Sequence, residues 1–218
     1  YEILRCLVGS EMCIRDRSTK TRILKKLLET DGYLSGQELC EQLGVSRTAV
    51  WKYMKQLKEE GYEIEAVQNK GYCLKDVPDV LGESEIKSRL HTRWAGQTLY
   101  YYDEIDSTNT QIKRLAEEDA PHGTLAVADY QSRGKGRRGR AWDSPHGSAI
   151  YMSILFRPEI RPDRASMLTL VIGLSVTQAI RSNLGLQAQI KWPNDVVLNG
   201  KKLVGILTEM SAQMNYIE

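Results

Sequence analysis

Gln131-Ser132-Arg133-Gly134-Lys135-Gly136-Arg137-Arg138-Gly139-Arg140-Ala141-Trp142 packs three glycines and five cations into one short stretch. Glycine lets a backbone adopt positive φ and come close to a ligand. Consecutive N–H groups in such a loop form a nest for anions, and arginine adds forked, permanently charged donors suited to phosphate or carboxylate. The plainer reading is a solvated basic loop. The glycines at 134, 136 and 139 also match G-x-G-x-x-G, a dinucleotide fingerprint that must follow a strand and open a helix. A strand is predicted at Thr124–Tyr130, but Trp142-Asp143-Ser144-Pro145-His146-Gly147 is turn material, so the fingerprint fails on context. No G-x-x-x-x-G-K-[ST] occurs, which removes a P-loop as well. What remains is a cationic loop able to fold over an anionic ligand.

Working outward, Gly123 precedes the strand, and Asp106-Ser107-Thr108-Asn109 opens a predicted helix with Ile112, Leu115 and Ala116 on one face. Such a run sets hydroxyls and an amide beside free backbone N–H groups; taken locally, an ordinary N-cap explains it better. Strands are predicted at Thr98–Asp103 and Ala149–Phe156, and a helix at Glu83–Leu90 capped by Ser84. A long helix follows at Arg164–Leu184, with Leu168, Val171, Ile172, Val176 and Ile180 inward, then a strand at Ala188–Trp192. Lys191-Trp192-Pro193-Asn194-Asp195 is the second unusual run. A lysine at a strand end beside Trp and Pro reads as partly desolvated, which is costly unless it faces an anion; a surface lysine that snorkels is the alternative. Asn199-Gly200 between Val196-Val197-Leu198 and Lys201–Leu207 is a strong hairpin signal. The domain is therefore α/β with antiparallel pairs, not a doubly wound parallel sheet.

The chain before this reads as a DNA-binding module. Ile23, Leu24, Leu27 and Leu28 share a helix face that closes at Asp31-Gly32. Ser35-Gly36-Gln37-Glu38 has the capping-box form, Gly44 makes a turn, and Ser46 caps a third helix with Val50, Tyr53, Met54 and Leu57 inward. Two short helices about a glycine turn are the helix-turn-helix layout, whose second helix offers its N-terminal residues to the major groove. Alternation over Tyr62–Val67, a turn at Gln68-Asn69-Lys70-Gly71 and then Tyr72-Cys73-Leu74 add a β wing. Ser46, Arg47, Thr48 and Lys52 on the helix and Asn69 and Lys70 at the wing tip are the candidate DNA-binding residues. Trp51 and Tyr53 say little alone, since aromatics at helical spacing usually fill cores. The expected division is a winged helix at 18–76, a linker at 77–83 containing Pro78, and an α/β domain at 84–218.

Bulk properties agree with two ordinary domains. The 218 residues are 41% apolar and 27% charged, with formal net charge +2, so any polyanion binding must come from local patches. No run approaches the roughly 18 apolar residues of a membrane span. Cys6, Cys13, Cys40 and Cys73 show neither C-x-x-C nor a histidine at ligand spacing, which reads as reduced thiols in a cytoplasmic protein. Residues 1–17 lack the apolar core of a signal peptide and read as a non-native leader. The other end stops at Tyr216-Ile217-Glu218 as another strand is due, so the chain reads as a fragment.

The motifs together carry a resemblance. D-S-T-N at 106–109, the basic loop at 131–142, K-W-P-N-D at 191–195 and K-L-V-G-I-L at 202–207 resemble biotin protein ligases. With a winged helix ahead of them, they are most similar to the bifunctional bacterial form that also represses the biotin operon. The set in this order is specific, although each motif alone is weak. The resemblance implies an α/β (α+β) catalytic domain related to class II aminoacyl-tRNA synthetases. It implies a reaction in which biotin and ATP give biotinyl-5′-AMP, followed by transfer to a lysine of the biotin carboxyl carrier protein of acetyl-CoA carboxylase. By motif, Ser107, Thr108, Asn109 and Gln131 would line the biotin pocket. Gly134, Lys135, Gly136, Arg137 and Arg138 would belong to the loop closing on the adenylate, and Trp142 would border the adenine. Lys191 and Arg137 would be the catalytic residues. Mg²⁺ would arrive with the nucleotide, since no metal-ligand cluster is legible. The resemblance further implies a homodimer when adenylate is bound, operator DNA as partner, and a small C-terminal β domain missing here. A lipoate or octanoyl transferase of the same architecture, and a transcription factor that only senses a ligand, are the alternatives.

Overall fold

The computed structural model describes residues 19–210; the predicted leader, Cys6, Cys13 and the terminal Tyr216–Glu218 lie outside these. The chain forms two compact units. One runs through Tyr101 and includes Gly123–Leu125; the other takes Tyr102–His122 and continues from Ala126.

In the first unit, α1 (19–29) is followed by α2 (Gly36–Leu43), α3 (Arg47–Glu59), β1 (Glu63–Val67) and β2 (Gly71–Asp76). Ser35 Oγ accepts from Gln37 N at 3.2 Å, capping α2. The expected reciprocal capping box does not form: Ser35 accepts from Gln37 N rather than Glu38 N, and the Glu38 carboxylate accepts from Gln42 one turn ahead instead of reaching back. Gly44 takes the left-handed conformation (φ 67°) that turns α2 toward α3, where Ser46 Oγ accepts from Ala49 N at 3.2 Å. Ile23, Leu24, Leu39, Val50 and Leu57 are fully buried at the centre, each contributing about 2 kcal/mol by leaving water. The wing is antiparallel, and Leu34 extends it by exchanging two backbone bonds with Tyr72 at 2.7 and 2.9 Å. Gly71 sits at φ +110°, and a Cβ there would lie 2.1 Å from Leu34 O. α4 (Glu83–Arg89) begins at the expected residue, but Gly82 is its N-cap and Ser84, expected to be the cap, lies within it. Glu85 on this helix receives the Tyr62 hydroxyl at 2.6 Å. Burial and that carboxylate together push the phenol well above its usual range.

The α/β part carries two three-stranded sheets. One orders β3 (Leu99–Ile105), β4 (Leu125–Gln131) and β5 (Tyr151–Ile154); the other orders β6 (Gln189–Lys191), β7 (Asp195–Leu198) and β8 (Lys201–Gly205). The second is antiparallel throughout. Asn199 and Gly200, at φ 50° and 75°, make the expected two-residue turn between β7 and β8. α5 (Thr108–Glu117) buries Ile112 and Leu115 against Ala120 and Ala126. α6 (Ser166–Leu184) packs on β6 and β7 through a face centred on Gly173 and Thr177. Leu168, Ile172, Val176 and Ile180 flank that face half-buried, whereas Val171, expected inward, is 56% exposed beside Leu170 and Leu174. Apolar residues occupy both sides of this helix, so periodicity alone does not choose the inner one.

Candidate functional site

The start of α5 and the end of β4 meet through one side chain. Gln131 Oε1 accepts from Thr108 N at 2.9 Å and from Thr108 Oγ1 at 3.1 Å; its Nε2 donates to Ser144 Oγ at 2.9 Å. Since a backbone N–H must meet an oxygen, Thr108 N fixes which way round the carboxamide lies. Ser153 Oγ on β5 donates to Thr108 Oγ1 at 2.9 Å and touches Asn109 Oδ1, while Ser144 Oγ donates to Trp142 O at 3.1 Å. A buried row of hydroxyls and amides thus runs from β5 through α5 and β4 into the basic loop. Ser107 stands at the N-cap position, 1% exposed, but makes no side-chain cap bond, so it is not an ordinary N-cap. Its N–H goes to Asp106 Oδ1 at 2.7 Å, and Arg114 holds the other carboxylate oxygen at 2.8 Å. Burial pushes Asp106 up, but the Ser107 N–H and Arg114 outweigh it and hold the carboxyl below its usual range. Asn109 Nδ2 donates to Glu209 at 2.9 Å, and Lys113 joins at 3.1 Å. The Asn109 bond, opposed by burial and aided by Lys113, keeps Glu209 below the usual carboxylate range.

The basic loop folds back on itself as a tongue. Trp142 N donates to Gly134 O at 2.9 Å and Gly136 N to Arg140 O at 2.7 Å, with a bridge between Lys135 and Ala141. Arg138 and Gly139 turn the tip in the left-handed region, at φ 59° and 72°. No helix of more than one turn follows, in keeping with the rejected dinucleotide reading. Gly134 is buried because its missing side chain is filled: a Cβ would lie 2.3 Å from Trp142 O and 2.7 Å from Ser144 Oγ. Lys135, Arg138 and Arg140 are exposed along the tongue, and Gly136 is half-buried.

Two contacts bring the tongue to the K-W-P-N-D run and its hairpin. Arg137 Nη1 donates to Asn194 Oδ1 at 2.7 Å, while Asn194 Nδ2 donates to Ile206 O at 3.1 Å. Trp142 lies with Lys202 Nζ 4.8 Å from its ring centre, and there is no room for a side chain on Gly205 beside it. Lys202 also stands 2.7 Å from Asp195 Oδ1, a buried oxygen that no aligned hydrogen bond reaches. Lys191, expected to be partly desolvated, is exposed on β6 next to an exposed Trp192. Among the described residues β6 is the edge strand of its sheet, which leaves Lys191 and Trp192 open to solvent. Its ammonium has no hydrogen bond or ion pair among the described residues.

The sequence reading thus named Ser107, Thr108, Asn109, Gln131, Gly134, Arg137 and Trp142 as parts that folding connects. It missed Ser144, Ser153 and Glu209, which no period or spacing marks, since each acts only through a partner distant in sequence. On α3, Arg47, Thr48 and Lys52 are exposed, with Arg47 Nη2 3.3 Å from Gln37 Oε1. The Ser46 hydroxyl caps its own helix, and Asn69 (φ 65°) forms the exposed wing turn beside Lys70, whose ammonium lies 5.5 Å from the Tyr33 ring centre. Among the described residues no group of three His, Cys, Asp or Glu is placed to hold a metal ion. No helix among them is long and apolar enough to cross a membrane.

These features define a winged helix carried with an α/β domain that bears a glycine-rich basic tongue. Residues 101–216 match the Biotin/lipoate A/B protein ligase family and residues 19–73 match a family described as HTH domain. The first match takes in more than half of the chain, and the chain belongs to that family. It is 48% identical over 199 residues to the bifunctional ligase/repressor BirA of Bacillus spizizenii, covering 90% of this chain and 61% of that protein. Against the bifunctional ligase/repressor BirA of Escherichia coli K12 it is 34% identical over 201 residues, covering 92% and 60%. A solved biotin protein ligase from Aquifex aeolicus, in complex with biotin and ATP, is similar over 53% of this chain and 47% of that one, at 40% identity and TM-score 0.47. The chain spans about three fifths of the length of the curated relatives it matches. Its fold is a winged helix-turn-helix ahead of an α/β domain of the biotin/lipoate ligase type.

Proposed function

We propose that this protein joins biotin to a lysine of an acceptor protein through biotinyl-5′-AMP, and that its first unit binds operator DNA with the adenylate as co-repressor. The observation that carries the reading is the Arg137–Asn194 contact, which ties the basic tongue to the run bearing an unpaired lysine. In the first step a carboxylate oxygen of biotin attacks the α-phosphate of ATP, and pyrophosphate leaves. In the second the acceptor amine attacks the acyl carbon, and AMP leaves. Both partners in the first step are anions. Lys191, Lys135 and Arg138 offset their repulsion, and a cation aimed at the α-phosphate stabilises charge as it develops. Ser107 and the hydroxyl row from Ser153 through Thr108 to Gln131 line the biotin end, with Trp142 at the adenine end. A closed tongue keeps water from the reactive adenylate. Magnesium does not fit any carboxylate group assembled here, so it would arrive bound to the nucleotide and no step is assigned to it.

The relatives' names, including bifunctional ligase/repressor, support both halves of the proposal. The acceptor is the carrier protein of acetyl-CoA carboxylase, as the name of a Paracoccus denitrificans relative suggests. Adenylate-dependent pairing of two copies on DNA and a cytoplasmic location complete it. The test is biotin-dependent ATP–pyrophosphate exchange, with lipoate as the competing acid. Exchange with biotin is expected, falling about a hundredfold in Lys191→Ala. Exchange with lipoate alone, or near-normal exchange in Lys191→Ala, overturns the substrate or the role of the lysine respectively.

A further inference from the structure

Trp51 lies on α3, yet it is not part of the core. The buried face of that helix is Val50, Tyr53, Met54 and Leu57, all at most 4% exposed, whereas Trp51 is 61% exposed. It stands one turn after Arg47 and one turn before Lys55, with Thr48 and Lys52 beside it, and all four of these are exposed. An indole so placed lies outside the buried core of the unit and leaves a large apolar surface in water. Its neighbours narrow down what could cover it. A protein partner would need an apolar recess rimmed with acidic groups. A DNA duplex offers both features in one groove: phosphate rails for the cations and, between them, the 5-methyl groups of thymine as apolar points on the floor.

We infer that Trp51 is a base-reading residue, its indole contacting a thymine methyl in the major groove. The inference rests on the reading of the first unit as a DNA-binding module, and it adds sequence specificity to that reading. A helix about 10–12 Å across enters a groove about 12 Å wide. Residues in the first two turns of a recognition helix reach the base edges there, and Trp51 lies within them. Arg47 supplies a forked donor for a guanine edge one turn away, while Lys55 and Lys58, further along, are positioned for the phosphate rails. The capping bond from Ala49 N to Ser46 Oγ holds the start of the helix, so the indole is presented on a rigid element.

The experiment begins with a random duplex pool, from which the wild-type chain, supplied with biotinyl-5′-AMP throughout, selects its preferred sequence. Each thymine of that duplex is then replaced singly by deoxyuridine, which lacks only the methyl group, and binding is read by fluorescence anisotropy. At one or two positions the replacement is expected to weaken wild-type binding about fivefold. Trp51→Ala is expected to weaken binding to the thymine duplex at least about tenfold and to become indifferent to those replacements. Its salt dependence should stay that of the wild type, because no phosphate contact is lost. Trp51→Phe, which retains an aromatic face, should recover part of both effects. Thermal melting of the variants should match the wild type, since the site is exposed.

Wild-type affinity in Trp51→Ala, or reduced affinity with thymine discrimination intact, overturns the role of the tryptophan while leaving the DNA-binding reading standing. A wild-type chain that selects no duplex overturns that reading and the inference with it. A variant that changes only the mass of the chain in light scattering, with DNA binding unaltered, makes the indole a contact between copies and overturns the inference as well.

Discussion

Replacing Gly134 by alanine puts a methyl group where the tongue has no space. The added carbon would lie 2.3 Å from Trp142 O, 2.7 Å from Ser144 Oγ and 3.3 Å from Gln131 Nε2. Two of these are fixed neighbours, a backbone carbonyl and a hydroxyl already bonded on two sides. To restore ordinary contact Trp142 must retreat by roughly an ångström. That movement breaks Trp142 N to Gly134 O and disturbs Ser144 Oγ to Trp142 O. Overpacking costs about 1–3 kcal/mol, and each strained or lost hydrogen bond adds about 1 kcal/mol. The closed tongue should therefore lose about 3 kcal/mol, or about a hundredfold in its closed-to-open ratio. Trypsin reads this directly, because Arg133, Lys135, Arg137, Arg138 and Arg140 are all cleavage points. When opening is fast relative to cutting, the cleavage rate follows the open population. Gly139 is a different case: it sits at φ +72° with nothing near its missing Cβ, so alanine there costs only about 1 kcal/mol of backbone strain. Gly136 is extended, with Arg140 O 3.2 Å away, and alanine there should cleave within a few-fold of wild type. The expected order is 134 far above 139, and 139 above 136. A wild-type cleavage rate in Gly134→Ala, or Gly136→Ala the fastest, refutes the reasoning.

Gly71→Ala, with its Cβ 2.1 Å from Leu34 O and φ at +110°, should destabilise the first unit by at least about 3 kcal/mol in chemical denaturation; a change below 1 kcal/mol would mean the wing does not pack as described. Lys202→Met leaves the buried Asp195 Oδ1 without its cation and should cost about 1–3 kcal/mol. Adding Asp195→Asn should recover part of that loss, and a double mutant less stable than the single one contradicts the pairing. Asp106, Asp129 and Glu209 all have carboxyls held below their usual range: Asp106 by Ser107 N–H and Arg114 against burial, Asp129 mainly by His146, and Glu209 mainly by Asn109. In acid the unfolded chain therefore binds more protons than the native one. Their contribution is full above the ordinary carboxylate pKa of about 4 and is lost as pH falls through the depressed values. Denaturation curves from neutral to acid pH should show that slope, flattened in Glu209→Gln; an unchanged slope removes Glu209 from it.

Local signals were legible because they act over a few residues. Ser46 as a cap, Gly44 as a turn and Asn199-Gly200 as a hairpin follow from backbone geometry that neighbours cannot easily override. The loop at 131–142 could be separated from a dinucleotide turn by what comes after it, for the same reason. Capping at Ser84 was misplaced because an acidic run, Glu83 and Glu85, sits well in a first turn whichever residue precedes it. Lys191 and Val171 show a different limit. Whether each is covered depends on which surfaces meet, and that information is spread over the chain rather than held in the residues beside them. Glu209 is the extreme case, bonded to Asn109 across 100 residues of sequence.

The hydroxyl row also has a direction. Ser153 donates to Thr108, Thr108 to Gln131, Gln131 to Ser144, and Ser144 to a carbonyl, Trp142 O, that has no proton to return. The direction is set in the middle: Thr108 N–H fixes the Gln131 carboxamide, so the Thr108 hydroxyl donates to Oε1, Nε2 donates to Ser144, and the Ser144 proton goes on to Trp142 O. At the other end Ser153 has one proton and two acceptors beside it, Thr108 Oγ1 and Asn109 Oδ1, so the row branches there. Moving the tongue would take the acceptor away from Ser144, so the position of the tongue is felt at the start of α5 through a single carboxamide.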